Sequence, residues 1–156
     1  ALGGGSELSL MSDIVLAGED AQFGFPEIQL GGMPGVGGTQ RLANHVGILT
    51  AKDLILSGRR VGQTEAVEIG LASRAVTDGN FDAAVEEMAS RLAGGPPLAM
   101  WFTKEVLNRS RAELDTGLAL EEALGTILFD TDDFAEGTEA FVNKREAEFA
   151  DWDDIA

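Results

Sequence analysis

Apolar positions change their spacing along this chain, from short runs at the front to helical stripes behind. After Gly3-Gly4-Gly5, Leu8, Met11 and their neighbours predict a short helix. Ile14–Ala17 is a brief apolar run bounded by Asp13 and Gly18, the pattern of a buried strand. Phe23-Gly24-Phe25 predicts a second extended piece, stopped by Pro26. Residues 26–38 carry Pro26, Pro34 and glycines at 31, 32, 35, 37 and 38, and read as a long loop with tight turns.

Behind this, the spacing becomes helical. Residues 39–46 and 48–57 predict two helices split by Gly47, and Gln63–Ile69 a shorter one. Leu71–Val76 reads as a strand. Phe81, Ala84, Val85, Met88 and Leu92 mark an amphipathic helix over Phe81–Leu92, which Gly94-Gly95-Pro96-Pro97 breaks. Leu98–Leu107 and Ala112–Phe129 are the next helices. The second has Leu114, Leu118, Leu120, Ala123, Leu124 and Ile127 as its stripe. Asp132 or Asp133 is expected to cap a last helix running to about Arg145, and the acidic tail from Asp151 to fray.

The fold class is therefore α/β, with an α/β front over 1–94 and a helical region over 95–156. A length of 156 residues suits one ordinary core. Yet Ala1 stands two residues before a turn into a buried helix, and two strands are too few for a stable sheet. The sequence is expected to be a piece whose front half is absent.

Composition narrows the chemistry. There is no cysteine, which excludes disulfides and thiolate nucleophiles, and one histidine, His45, which excludes sites needing several imidazoles. His45 is expected on a helix surface, and Trp101 and Trp152 as packing residues. No apolar stretch approaches the ~20 residues of a membrane span, and no signal peptide is visible. Asp and Glu number 27 against 11 Lys and Arg, a net charge of −16. Such a surface repels nucleic acid and anionic membranes. An acid-rich surface with lysine only at 52, 104 and 144 is typical of proteins from salt-loving cells, although an ordinary acidic cytoplasmic protein has a similar balance.

Two acidic positions invite attention. Glycines before a helix let a ligand approach and leave the first N–H groups free for an oxyanion, with Glu7 one turn inside. The same pattern also describes a flexible turn and a solvated glutamate. Glu27, after Phe23-Gly24-Phe25-Pro26, sits among aromatic and apolar neighbours, a setting suited to proton carriage. Two glutamates twenty apart, among 27 acids, decide nothing by themselves.

The whole run does more. ALGGGSELSLMSDIVLAGEDAQFGFPEIQLGGMPGVGGTQRL resembles the signature of the enoyl-CoA hydratase/isomerase (crotonase) family. Further matching pieces are Leu56, Gly58-Arg59-Arg60, Ala66, Gly70-Leu71, Phe134, Glu136-Gly137, Phe141-Val142 and Lys144-Arg145. The resemblance implies the C-terminal part of a crotonase-like ββα spiral followed by a helical trimerisation region that helps close the CoA site. It implies an acyl-CoA thioester as substrate, no metal or other cofactor, and homotrimers that pair into hexamers. Gly4 would be one N–H donor to the thioester oxygen, the other lying upstream. Glu7 would be general base toward a water, and Glu27 the proton donor to C2. Gly35 would donate an N–H to that water or its glutamate, unless its turn serves only to start a helix. Phe141 and Lys144 would meet the adenine and a phosphate, or be merely a core Phe and a surface Lys. Two glutamates favour a hydratase (a lyase) over an isomerase or another acyl-CoA lyase. A non-catalytic piece serving as a subunit or interaction surface is the alternative of a different class.

Overall fold

The computed structural model describes residues 1–77, 79–109 and 114–151. The expected start of a helix at Ala112, Trp152 and the tail beyond Asp151 lie outside these residues. Residues 1–85 form one compact unit and those after 85 another.

In the first unit, α1 (Gly4–Ser9) is followed by β1 (Leu16–Ala17), β2 (Gln22–Gly24) and a 3₁₀ helix (Pro26–Leu30). Next come α2 (Gly38–Val46), α3 (Ile48–Ser57), β3 (Arg60–Gly62), α4 (Gln63–Glu68) and β4 (Arg74–Ala75). β1 pairs parallel with β4, Leu16 opposite Arg74, and β2 pairs antiparallel with β3, Phe23 opposite Val61. The strands expected over Ile14–Ala17 and Leu71–Val76 are thus cut to two paired residues each.

The 26–38 segment and the stretch after α3 also differ from expectation. Part of the expected 26–38 loop is helical. Pro26, with its fixed φ and no N–H to satisfy, stands at N1, and Gly31 in the left-handed region closes the turn. Arg60–Gly62 is a strand the pattern did not show, because Val61 is its one apolar residue.

The core gathers Leu10, Phe23, Phe25, Leu42, Leu54, Val61 and Leu71, with Phe25 and Leu42 fully buried. A single Gln63 amide donates to Ala17 O and Val76 O, each at 2.8 Å, and so ties α4 to the ends of the β1–β4 pair. Gly47 separates α2 from α3 with φ 80 and ψ 157, a backbone that L side chains rarely adopt.

α5 (Phe81–Ala93) leaves the first unit, and its apolar stripe stays partly open, with Phe81, Val85 and Leu92 exposed. The second unit continues with α6 (Pro97–Arg109), α7 (Leu114–Leu128) and α8 (Asp132–Asn143). The cap of α8 is Thr131, not Asp132 or Asp133: its Oγ1 accepts from Phe134 N. No described helix is long and apolar enough to cross a membrane.

Candidate active site

The site grows from the turn into α1. Gly3 has φ 55, a left-handed backbone that suits glycine, and donates its N–H to Gly24 O at 2.9 Å. Ser6 is fully buried; its Oγ donates to Ala1 O and accepts from Gly24 N at 3.0 Å. These bonds staple α1 to β2, so the triple glycine is a fixed turn. Gly4 N–H, the first of the helix, has no acceptor among the described residues, and a Cβ at Gly4 would meet nothing within 4 Å.

Glu7 is 2% exposed. Its Oε1 accepts two backbone amides, Val36 N at 2.7 Å and Gly38 N at 2.8 Å. Those donors come from the Pro34–Gly38 turn ahead of α2. Gly38 lies within the run that resembles the family, but no role was expected of it or of Val36, because a backbone N–H donor is not tied to one residue type. Gly35, expected to donate to a water or to its glutamate, is exposed and makes no bond to Glu7 among the described residues.

Glu27 leaves β2 through Phe25 and Pro26, and its 3₁₀ helix returns it to the same turn. A Cβ at Gly3 would stand 3.0 Å from Glu27 Oε1. Glu27 Oε2 is buried and has no hydrogen-bond partner among the described residues. A buried carboxylate oxygen without a donor is costly, and such groups commonly mark a place for water or ligand. The structure thus brings together an amide without an acceptor among the described residues, a carboxylate with one oxygen fixed, and a carboxylate with one oxygen unpartnered. That set can hold a carbonyl oxygen and move protons beside it. Among the described residues no group of three or more His, Asp or Glu could hold a metal ion.

His45 is half-buried rather than on the open surface, and its Nδ1–H donates to Arg41 O at 2.7 Å. Trp101 is 51% exposed and tilts against Phe102.

Phe141 and Lys144 belong to the second unit. Phe141 is 85% exposed and lines an apolar cavity of about 360 Å³ with Leu98, Leu128, Phe134 and Phe149. Lys144 closes α8 in the left-handed region at φ 54. The next residue, Arg145, folds back: its Nη2 donates to Glu136 Oε2 at 2.8 Å. Glu136 Oε1 also accepts Glu148 N, and Asp133 Oδ1 accepts Ala150 N. The Arg145 guanidinium, then the Glu148 amide, hold the Glu136 carboxyl down at about 2, and Glu136 in turn raises Arg145.

Comparison with known proteins sets this geometry in context. A profile of the enoyl-CoA hydratase/isomerase family matches residues 1–152. The chain is 44% identical over 151 residues to a 2,3-dehydroadipyl-CoA hydratase of Escherichia coli (strain K12), covering 96% of this chain and 59% of that protein. It is 46% identical over 150 residues to a probable enoyl-CoA hydratase of Rhizobium meliloti (strain 1021), covering 96% and 58%. The crystal structure of an enoyl-CoA hydratase from Bacillus anthracis superposes with a TM-score of 0.91 at 39% identity, covering 96% of this chain and 58% of that one. The chain therefore spans somewhat under three fifths of the length of these relatives.

Proposed function

The chain belongs to the enoyl-CoA hydratase/isomerase family and has the crotonase fold, and on that premise we propose that it serves hydration of a trans-2-enoyl-CoA to a 3-hydroxyacyl-CoA. The observation that carries the reading is the pair Glu7 and Glu27 set around the Gly3-Gly4 turn, each with an oxygen buried or fixed. The relatives at 44–46% identity are named as hydratases.

In this reading Gly4 N–H holds the thioester oxygen and takes up charge as the enolate forms. Glu7 accepts a proton from a water as its oxygen bonds C3. Glu27 delivers a proton to C2 on the same face, so water adds syn and no other cofactor is consumed. Gly35 is exposed in the turn whose Val36 and Gly38 amides bond Glu7, where its own N–H can meet the water. Phe141 and Lys144 are proposed to meet the adenine and a phosphate of coenzyme A. Their exposure and the positive charge of Lys144 support this.

The division of labour is proposed as a core of acid–base chemistry over 1–94, with 95–156 for assembly and CoA-site closure. Exposed Leu107, Phe129 and Val142 favour assembly into homotrimers or hexamers. The acidic surface supports a salt-adapted cytoplasmic protein.

The test is turnover of crotonyl-CoA followed by loss of the enoyl absorbance, beside a 3-enoyl-CoA. Hydration of the first supports the proposal. Conversion of only the second makes the protein an isomerase, and turnover of neither ends the catalytic reading.

A further inference from the structure

Glu7 Oε1 has two amide donors, yet nothing in the acid–base reading requires them. Both come from one turn, and that turn is built around the carboxylate. Gly37 has φ 93 and supplies the reversal. Gly38 does not have a positive φ, so an alanine could adopt its backbone; glycine is there for room. A Cβ at Gly38 would stand 2.8 Å from Glu7 Oε1, 3.0 Å from Glu7 Cγ and 2.8 Å from Pro34 Cβ. The carboxylate and the buried Pro34 ring leave that Cβ nowhere to go.

We infer that the Pro34–Gly38 turn is a positioning clamp for Glu7, with Val36 and Gly38 as positioning residues. The proposal rests on the acid–base role given to Glu7 above. Two donors on Oε1 fix the carboxyl plane and leave Oε2, which has no partner among the described residues, as the oxygen that handles a proton. Proton transfer needs heavy atoms within hydrogen-bond reach, so a carboxylate free to rotate spends time misplaced.

A competing role is purely structural. Gly38 N–H is the first of α2, whose own cap Gly37 offers no side chain, so Glu7 also caps that helix. Capping alone would show in stability, while positioning shows in kcat.

The experiment has two arms on the full chain. In the first, amide exchange at Val36 and Gly38 is compared in wild type, Glu7→Gln and Glu7→Ala. Gln retains an acceptor oxygen and keeps both amides protected; Ala raises their exchange at least tenfold, with the core amides of Phe25 and Leu42 unchanged. Unchanged exchange at 36 and 38 in the alanine variant overturns the clamp, even in an active enzyme. In the second arm, Gly38→Ala lowers kcat by ~10²-fold, the scale of an ångström's misplacement, with KM near wild type, at a temperature where the crowded variant is still folded. Gly62→Ala, whose Cβ meets nothing within 4 Å, leaves both constants unchanged. If Gly38→Ala does not fold, Val36→Pro removes one donor without adding a Cβ at 38 and lowers kcat alone. Wild-type kcat in the variant that folds overturns the positioning role. Absence of turnover in wild type refutes the hydratase reading, and the exchange arm still decides the clamp.

Discussion

Ser6 uses both sides of its hydroxyl, donating to Ala1 O and accepting from Gly24 N, in a site with no solvent exposure. Ser6→Ala leaves a buried Gly24 amide without a partner, at a cost of about 1–3 kcal/mol. Urea unfolding of the variant reads this as a lower midpoint with an unchanged slope; an unchanged midpoint would mean that water replaces the hydroxyl. At the next position, Glu7 carries a different burden. Glu7→Gln keeps the shape and an acceptor for Val36 and Gly38 but cannot take a proton from water, and Glu27→Gln cannot supply one to C2. Each lowers kcat by at least ~10² with CoA-thioester affinity nearly intact. Full turnover in both variants would contradict the roles assigned to the two carboxylates.

The elements show why some of this was readable in the sequence and some was not. Gly4, Glu7 and Glu27 stand in one continuous run of motif, and the staple of α1 onto β2 needs only the glycines and Ser6 within it. The helices α2 to α6 follow apolar spacing and glycine stops, so their limits fall near those expected. β3 was hidden because Val61 alone is apolar between Arg60 and Gly62, and its place depends on pairing with a strand 36 residues before it. Thr131 was hidden beside two aspartates that are equally good caps in sequence. Freed from capping, Asp133 holds Ala150 N, and with Glu136 it pins the chain after α8. That pinning titrates. Glu136 falls from an ordinary 4.5 to about 2 in the folded chain. The folded form therefore binds fewer protons than the unfolded one, and the Glu136 contacts add stability above about pH 4.5 that disappears as pH falls through about 2. The Glu148 amide signal, followed by NMR from pH 6 downward, should move with a midpoint near 2. Arg145→Gln should bring that midpoint up toward the ordinary glutamate value. Equal midpoints in the two proteins would show that Arg145 is not what holds the carboxyl down.

At the scale of the molecule, charge decides. With 27 acidic and 11 basic residues, the net charge of −16 is spread over a chain of 156 residues. The cations shown in ion pairs, Arg59, Arg91, Arg109 and Arg145, each face acids on exposed or half-exposed surface. Exposed pairs contribute little to stability, and salt weakens them. Repulsion among the excess acids acts over longer distances and is weakened more broadly. The screening length falls from ~10 Å at 0.1 M salt to ~3 Å at 1 M, shorter than most separations between surface carboxylates. Loss of repulsion then outweighs loss of attraction, and the melting temperature rises as KCl goes from low to molar levels. An equal osmolality of a neutral solute separates screening from exclusion effects, since only the salt changes the electrostatic term. A curve that stays flat or falls with KCl would mean that the acidic surface is not a load on this fold, and salt adaptation would have no support in its stability.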